Sequence, residues 1–86
     1  MKEMDITIQL EHGLHARPAA EFTRVASRFK SDITLVKGDR SVNAKSIIGV
    51  MSLGAAKGET IKLIIDGEDE AEVADVLAAY LEGRDN

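Results

Sequence analysis

The spacing of apolar side chains changes once near the start of the chain, and this change constrains the fold more than any other feature. In Met4–Leu10 apolar and polar residues alternate strictly, which predicts a half-buried β-strand. From Ala16 to about Phe29 the apolar residues recur at helical spacing, which predicts an amphipathic helix. Residues 11–20 therefore form a strand-to-helix turn, and they hold both histidines and the sole proline of the chain.

The turn combines residue types that suit an anion. Pro18 has no N–H and is tolerated in a first helical turn, so we expect the helix to begin at about Ala16 with His15 as the cap residue. The N–H groups of Ala16 and Arg17 then lack intrahelical acceptors, and with the helix dipole they attract negative charge. His15 adds a nucleophile, and the guanidinium of Arg17 can donate two hydrogen bonds to the oxygens of one phosphate. The combination predicts a histidine that carries a phosphoryl group.

The rest of the chain predicts three further strands and two further helices. The strands are expected at Ile33–Val36, Ser41–Asn43 and Thr60–Asp66, with a tight turn at Lys37–Arg40 joining the first two into a hairpin. A short helix capped at Ser46 ends at Gly54. A final helix runs from Glu68 to Gly83, with a predicted buried stripe of Val73, Val76, Leu77, Tyr80 and Leu81.

The predicted order of elements is βαββαβα. This order indicates an α+β fold, an open-faced two-layer sandwich of four antiparallel strands with the helices on one face. With 86 residues and no cysteine, the chain is expected to be a single domain over 1–86 that is held together by aliphatic packing. It shows neither a long apolar segment nor a signal peptide, so we expect a cytoplasmic protein without membrane insertion.

The short helix carries more apolar side chains than it can bury. A two-turn helix between loops cannot enclose all five, so at least two of them should face solvent as an apolar patch. The ordinary alternative is that they belong to the core. The five residues are Ile47, Ile48, Val50, Met51 and Leu53.

The charges of the chain are distributed unevenly. Residues 1–58 carry nine basic and six acidic side chains, whereas residues 59–86 carry two basic and nine acidic ones, which gives +3 and −7. This pattern argues against nucleic-acid binding, which requires a basic surface with aromatic residues. An acidic partner is expected to dock near Arg17, Arg24 and Arg28, although these arginines also fit an ordinary solvated helix face.

Two segments, Gly13–Ala19 and Lys45–Leu53, resemble the two signatures of the HPr family, the phosphocarriers of the bacterial sugar phosphotransferase system. The resemblance covers nearly the whole chain and implies the strand order 1-4-2-3. It implies that enzyme I, charged by phosphoenolpyruvate, phosphorylates His15 on Nδ1, and that sugar-specific IIA proteins receive the group. Arg17 and the amides of Ala16 and Arg17 would bind the phosphate, with no cofactor.

In the Gram-positive branch of this family, the serine matching Ser46 is phosphorylated by an HPr serine kinase/phosphorylase. The resulting phosphoprotein is a corepressor of a catabolite control protein. Independently of the resemblance, the apolar patch and the arginines near it predict a partner-binding surface, which comprises Ala20, Arg24, Ile47, Ile48 and Met51. Regulatory relatives that do not carry sugar phosphate typically lack the active histidine, which this chain has, so the carrier is favoured over the regulator.

Two departures from the family pattern stand out: His12 occupies a position that is often serine or asparagine, and Ile48 one that is often methionine in the Gram-positive branch. His12 and His15, with Glu11 nearby, have a spacing compatible with a metal pair, but such a turn makes a weak site and no metal is expected. The sequence also offers no acid–base pair, phosphate loop or substrate cavity, which argues against a stand-alone enzyme.

Overall fold

A computed structural model describes residues 1–84. The elements follow the predicted order and comprise β1 (Lys2–Thr7), α1 (Arg17–Ala26), β2 (Asp32–Lys37), β3 (Arg40–Asn43), α2 (Ile47–Leu53), β4 (Thr60–Asp66) and α3 (Glu70–Leu81). The α+β class and the βαββαβα order are therefore confirmed.

The four strands form one antiparallel sheet in the order β1-β4-β2-β3, as the resemblance implied. The register places Ile61 opposite Ile6, and Leu63 opposite Leu35. Because side chains alternate across a strand, these residues all point to one face. That face is buried, while the polar residues of the same strands lie on the open face.

The helices pack on the buried face of the sheet. Phe22 is fully buried in α1, and α3 contacts α1, β1 and β4. The predicted stripe of α3 is partly wrong, since Val76 and Tyr80 are only half-buried whereas Ala74 and Ala78 are buried. Small side chains on the inner face allow α3 to approach its neighbours closely, and Val76 and Tyr80 pack against the core from its edge.

Several predicted boundaries differ from the structure by one or two residues, and two differ by three. The first strand ends at Thr7 rather than Leu10, because the N–H of Gln9 donates to the carbonyl of Leu81 instead of to a neighbouring strand. Helix α1 ends at Ala26, since the N–H of Phe29 bonds to the carbonyl three residues back, at 3.2 Å. Such a bond tightens the chain into a non-α turn.

Candidate functional site

The turn that follows β1 is held against the segment after α2. The N–H of Leu14 donates to the carbonyl of Ala55 at 2.8 Å, and the Leu14 side chain is fully buried. Gly13 has φ +72, and a Cβ there would lie 2.6 Å from the same carbonyl oxygen, so the close approach requires glycine. With Leu14 anchored inside, the next residue, His15, is exposed.

The segment after α2, against which this turn packs, is held in place by the carboxylate of Glu59. Glu59 accepts hydrogen bonds from the N–H of Ala56 at 2.7 Å and from Lys37 at 2.9 Å. The bond from Ala56 and then the one from Lys37 hold the pKa of Glu59 below its usual range. The turn with the histidines thus rests on a locally braced surface.

The start of α1 differs from the prediction by one residue. Ala16, not His15, is the N-cap, and the helix begins at Arg17 with Pro18 in its first turn. The N–H of Ala20 makes the first helical hydrogen bond, to the carbonyl of Ala16 at 3.1 Å. The helix cannot include Ala16, because the backbone of this residue is not helical.

Ala16 itself has an unusual backbone conformation. Its φ is +54° and its ψ is −123°, and within residues 1–84 no other residue except glycine has a positive φ. Such a conformation costs about 1–3 kcal/mol and occurs preferentially at functional sites. The N–H groups of Ala16 and Arg17 precede the first helical hydrogen bond, so α1 leaves them without an intrahelical acceptor, as predicted.

The predicted site residues converge on one open depression of about 510 Å³, lined by His12, His15, Ala16, Arg17 and Pro18. The lining combines two imidazoles, a guanidinium and the N-terminus of a helix, all of which favour an anion. An exposed imidazole beside such donors is able to attack phosphorus and hold the transferred group. Sequence reasoning assigned roles in this site to His15 and Arg17, and it left His12, in the same turn, without one.

Tyr80 supports the site from the other end of the chain. Its hydroxyl donates to the carbonyl of Pro18 at 3.1 Å, and its ring lies 6.1 Å from that of Phe22. Tyr80 was predicted only as a core residue, because periodicity reports that a side chain is partly buried and not which distant carbonyl its hydroxyl reaches.

The short helix α2 has the predicted caps. The side-chain oxygen of Ser46 accepts a hydrogen bond from the N–H of Gly49 at 3.1 Å, and Gly54 ends the helix in the left-handed conformation. A Cβ at residue 49 would lie only 3.2 Å from the Ser46 oxygen, so glycine leaves room for the cap. Ser46 is half-buried.

The apolar patch on α2 is also as predicted. Ile47 is 43% exposed, Ile48 79% and Met51 46%, while Val50 and Leu53 are buried. Helices α1 and α2 contact each other, so the helix that bears the patch packs against the helix that carries the arginines. Of the other predicted partner-binding residues, Arg24 is exposed and Ala20 is half-buried.

Two classes of feature are not found in the part of the chain that the structure describes. No group of three or more histidine, aspartate or glutamate side chains is arranged to hold a metal ion among residues 1–84. No helix in the same range is long and apolar enough to cross a membrane.

Known proteins resemble this chain over nearly its whole length. Residues 2–83 match the family model PTS-HPr, described as the PTS HPr component phosphorylation site. The chain is 48% identical over 82 residues to the HPr-like protein Crh of Bacillus subtilis, covering 95% of this chain and 96% of that protein. It is 47% identical over 83 residues to the phosphocarrier protein HPr of Neisseria meningitidis, covering 96% and 93%. The crystal structure of HPr-C-His from Thermoanaerobacter tengcongensis matches with a TM-score of 0.92 at 48% identity, covering 98% of this chain and 94% of that chain.

Proposed function

The chain belongs to the HPr family of phosphocarriers of the phosphotransferase system, and we propose that His15 carries the phosphoryl group. In the proposed step, Nδ1 of the neutral His15 imidazole attacks the phosphorus of phosphorylated enzyme I. The N–P bond forms as the bond from phosphorus to enzyme I breaks, and the bonding electron pair leaves with enzyme I. A sugar-specific IIA protein then receives the group by the same kind of exchange.

The depression around His15 is the observation that carries this proposal. Arg17 lines it beside the imidazole and supplies a charge-assisted contact to the phosphate oxygens. The N–H groups of Ala16 and Arg17 add donors at the positive end of α1. These groups bind and orient the phosphoryl group, whereas the partner enzymes supply the rest of the catalytic machinery, so the protein acts as a relay and not as an enzyme.

Ser46 is the proposed regulatory phosphorylation site. Its hydroxyl caps α2 and is half-buried beside the exposed apolar patch. A phosphate on this oxygen lies at a helix start, where negative charge is favoured, so the helix is retained. We expect an HPr serine kinase/phosphorylase to act here and a catabolite control protein to bind the product.

A second candidate function is regulation without phosphoryl transfer. It is favoured by one observation: the chain is 48% identical to the HPr-like protein Crh and 47% identical to a phosphocarrier protein HPr, so it is about as similar to one as to the other. A purely regulatory protein has no use for an exposed imidazole beside a guanidinium, whereas a carrier requires both. His15 and Arg17 therefore favour the carrier.

The proposed partners dock on the exposed patch of α2 and the neighbouring face of α1. A protein interface usually has an apolar centre and a polar rim, and methionine and arginine are enriched in it. The proposed surface comprises Ala20, Arg24, Ile47, Ile48 and Met51. We place the protein in the cytoplasm as a single HPr-like domain over 1–86, where enzyme I and the IIA proteins meet it.

Reconstitution of sugar phosphorylation tests the proposed function. Phosphoenolpyruvate, enzyme I, a IIA protein and the membrane sugar transporter are combined with this protein, and sugar phosphate is measured. We expect sugar phosphate with the wild type, none with His15→Ala, and a rate lowered roughly 10- to 100-fold with Arg17→Ala, as for a lost charge-assisted hydrogen bond. Sugar phosphate formed equally well with His15→Ala would contradict the proposal.

A further inference from the structure

His12 is the residue of the depression that the proposed function leaves without a role. Its exposed side chain lines the same space of about 510 Å³ as His15 and Arg17. The next residue, Gly13, lies directly against Ala55, so the backbone next to His12 is held in place. The ionisable groups that line this space are all basic, since its lining contains no carboxylate.

No neighbouring carboxylate that the structure describes takes the place of a phosphate as the anionic partner of His12. Glu11 precedes it in the chain, and Lys57 belongs to the segment on which the turn rests. Both are exposed, both lie outside the lining of the depression, and their charges are opposite. The carboxylate of Glu59, on the same segment, already accepts hydrogen bonds from a backbone N–H and from Lys37.

We propose that His12 is a second phosphate-binding group, whose imidazolium form donates a hydrogen bond to the phosphoryl group on His15. The proposal rests on the proposed function and deepens it. A phosphoryl group brings up to about two negative charges into the depression at neutral pH. Histidine is the side chain that gains a positive charge in this pH range, and a nearby anion favours that charged form. Phosphorylation of His15 is therefore accompanied by proton uptake at His12.

This coupling makes retention of the phosphoryl group sensitive to pH. The phosphorylated protein holds more proton on His12 than the free protein does, so protons favour the phosphorylated form. This extra stabilisation of the phosphorylated form is present at low pH. It disappears as the pH rises through the titration midpoint of His12 in the phosphorylated protein. Arg17 cannot supply this dependence, because a guanidinium stays charged throughout the range.

NMR titration of the His12 ring tests the proposal without any partner protein. Phosphoramidate, a small-molecule donor, is used to phosphorylate the protein, and intact mass with peptide mapping identifies the modified residue. We expect phosphorylation of His15 to move the titration midpoint of His12 to higher pH by at least about half a unit, roughly a threefold gain in proton affinity. An unmoved midpoint, or phosphate on His12 itself, overturns the proposal.

A histidine at the neighbouring position provides the matched control. The double variant Glu11→His with His12→Asn keeps one imidazole close in sequence but moves it outside the lining of the depression. Its midpoint should move by less than half as much on phosphorylation of His15. An equal movement would show that the field of the phosphate acts at any nearby ring, and would contradict a specific contact with His12.

The failure of this inference is distinguishable from failure of the proposed function. If enzyme I phosphorylates His15 but the midpoint of His12 stays unchanged, the carrier stands and the role of His12 is refuted. If enzyme I transfers nothing while phosphoramidate modifies His15 and the midpoint moves, His12 is a phosphate ligand in a protein that is not this carrier. If neither phosphoramidate nor enzyme I modifies His15, the contact has no phosphoryl group to bind, and both the proposed function and this inference are wrong.

Discussion

The hydroxyl of Tyr80 donates a hydrogen bond to the carbonyl oxygen of Pro18, 3.1 Å away and 62 positions earlier in the chain. The bond joins the last turn of α3 to the first turn of α1. The Tyr80 ring packs beside Phe22 as well, with ring centroids 6.1 Å apart. The helix start beside His15 is thus fixed by the opposite end of the chain.

The first prediction concerns this bond. Tyr80→Phe keeps the ring but removes the donor to Pro18, so the free energy of unfolding should fall by about 0.5–1.5 kcal/mol. Urea denaturation measures this loss. Tyr80→Ala, which removes the ring packing too, should lose more. A Tyr80→Phe variant as stable as the wild type would mean that the hydrogen bond contributes nothing.

A second long-range contact ties the segment before β2 to the start of α3. The carboxylate of Asp69 accepts hydrogen bonds from the Ser31 hydroxyl, from the Lys30 N–H at 2.9 Å and from the Ser31 N–H at 3.1 Å. The Ser31 hydroxyl and then the Lys30 N–H lower the pKa of Asp69. Because the pKa is lower in the folded protein, this stabilisation is present above the unfolded value and is lost as the pH falls through the folded one.

The second prediction is that Asp69→Asn destabilises the protein at neutral pH and that the difference from the wild type shrinks below about pH 4. Urea denaturation across a pH series measures both free energies of unfolding. Glu68→Gln, at an exposed neighbouring position, should unfold like the wild type at pH 7. A difference for Asp69→Asn that stays constant down to pH 2 would exclude the titration of Asp69 as its cause.

Most of the fold could be predicted from local patterns. The alternation in Thr60–Asp66 and the caps of α2 both act within a few residues, and each appears as predicted. The end of β1 could not be placed, because it depends on a distant partner, the Leu81 carbonyl that takes the N–H of Gln9. The end of α1 was missed because apolar spacing does not distinguish a last α-helical turn from the tighter turn that Phe29 forms. Periodicity contains no information about such contacts.

The third prediction tests the apolar patch as a docking surface. Met51→Asp should weaken binding to enzyme I by about tenfold or more, because an interface centre tolerates a charge poorly, and should leave the melting temperature nearly unchanged. Calorimetry and thermal unfolding provide the two measurements. Val50→Ala, at the buried neighbouring position, should instead cost about 2 kcal/mol of stability. A large fall in melting temperature for Met51→Asp would identify Met51 as a core residue.

The fourth prediction concerns Ser46. Ser46→Asp places a negative charge at the start of α2, so association with an enzyme I whose docking face is acidic should weaken and phosphorylation of His15 should slow. The loss should shrink as salt is raised, because salt screens the repulsion. Phosphorylation kinetics across an ionic-strength series measure it. Ser46→Asn keeps an N-cap without charge, so its His15 should be phosphorylated as fast as that of the wild type. If Ser46→Asp and the wild type are phosphorylated at equal rates at low salt, charge at residue 46 does not affect phosphorylation of His15.

The site was less predictable than the fold. The residue types around His15 indicated an anion site, but the assignment of a phosphocarrier came from the resemblance of two motifs to a family. The strained backbone of Ala16 and the position of His12 in the depression have no local signature. Both are properties of the folded chain.

The central claim is that His15 accepts a phosphoryl group, and intact mass spectrometry tests it most directly. We incubate the wild type, His12→Ala and His15→Ala separately with phosphoenolpyruvate and enzyme I. The intact mass of each protein is measured before and after acid treatment. We predict one acid-labile phosphoryl group on the wild type and on His12→Ala, and none on His15→Ala, which should stay folded because it changes one exposed side chain. An acid-labile phosphoryl group on folded His15→Ala would contradict the account.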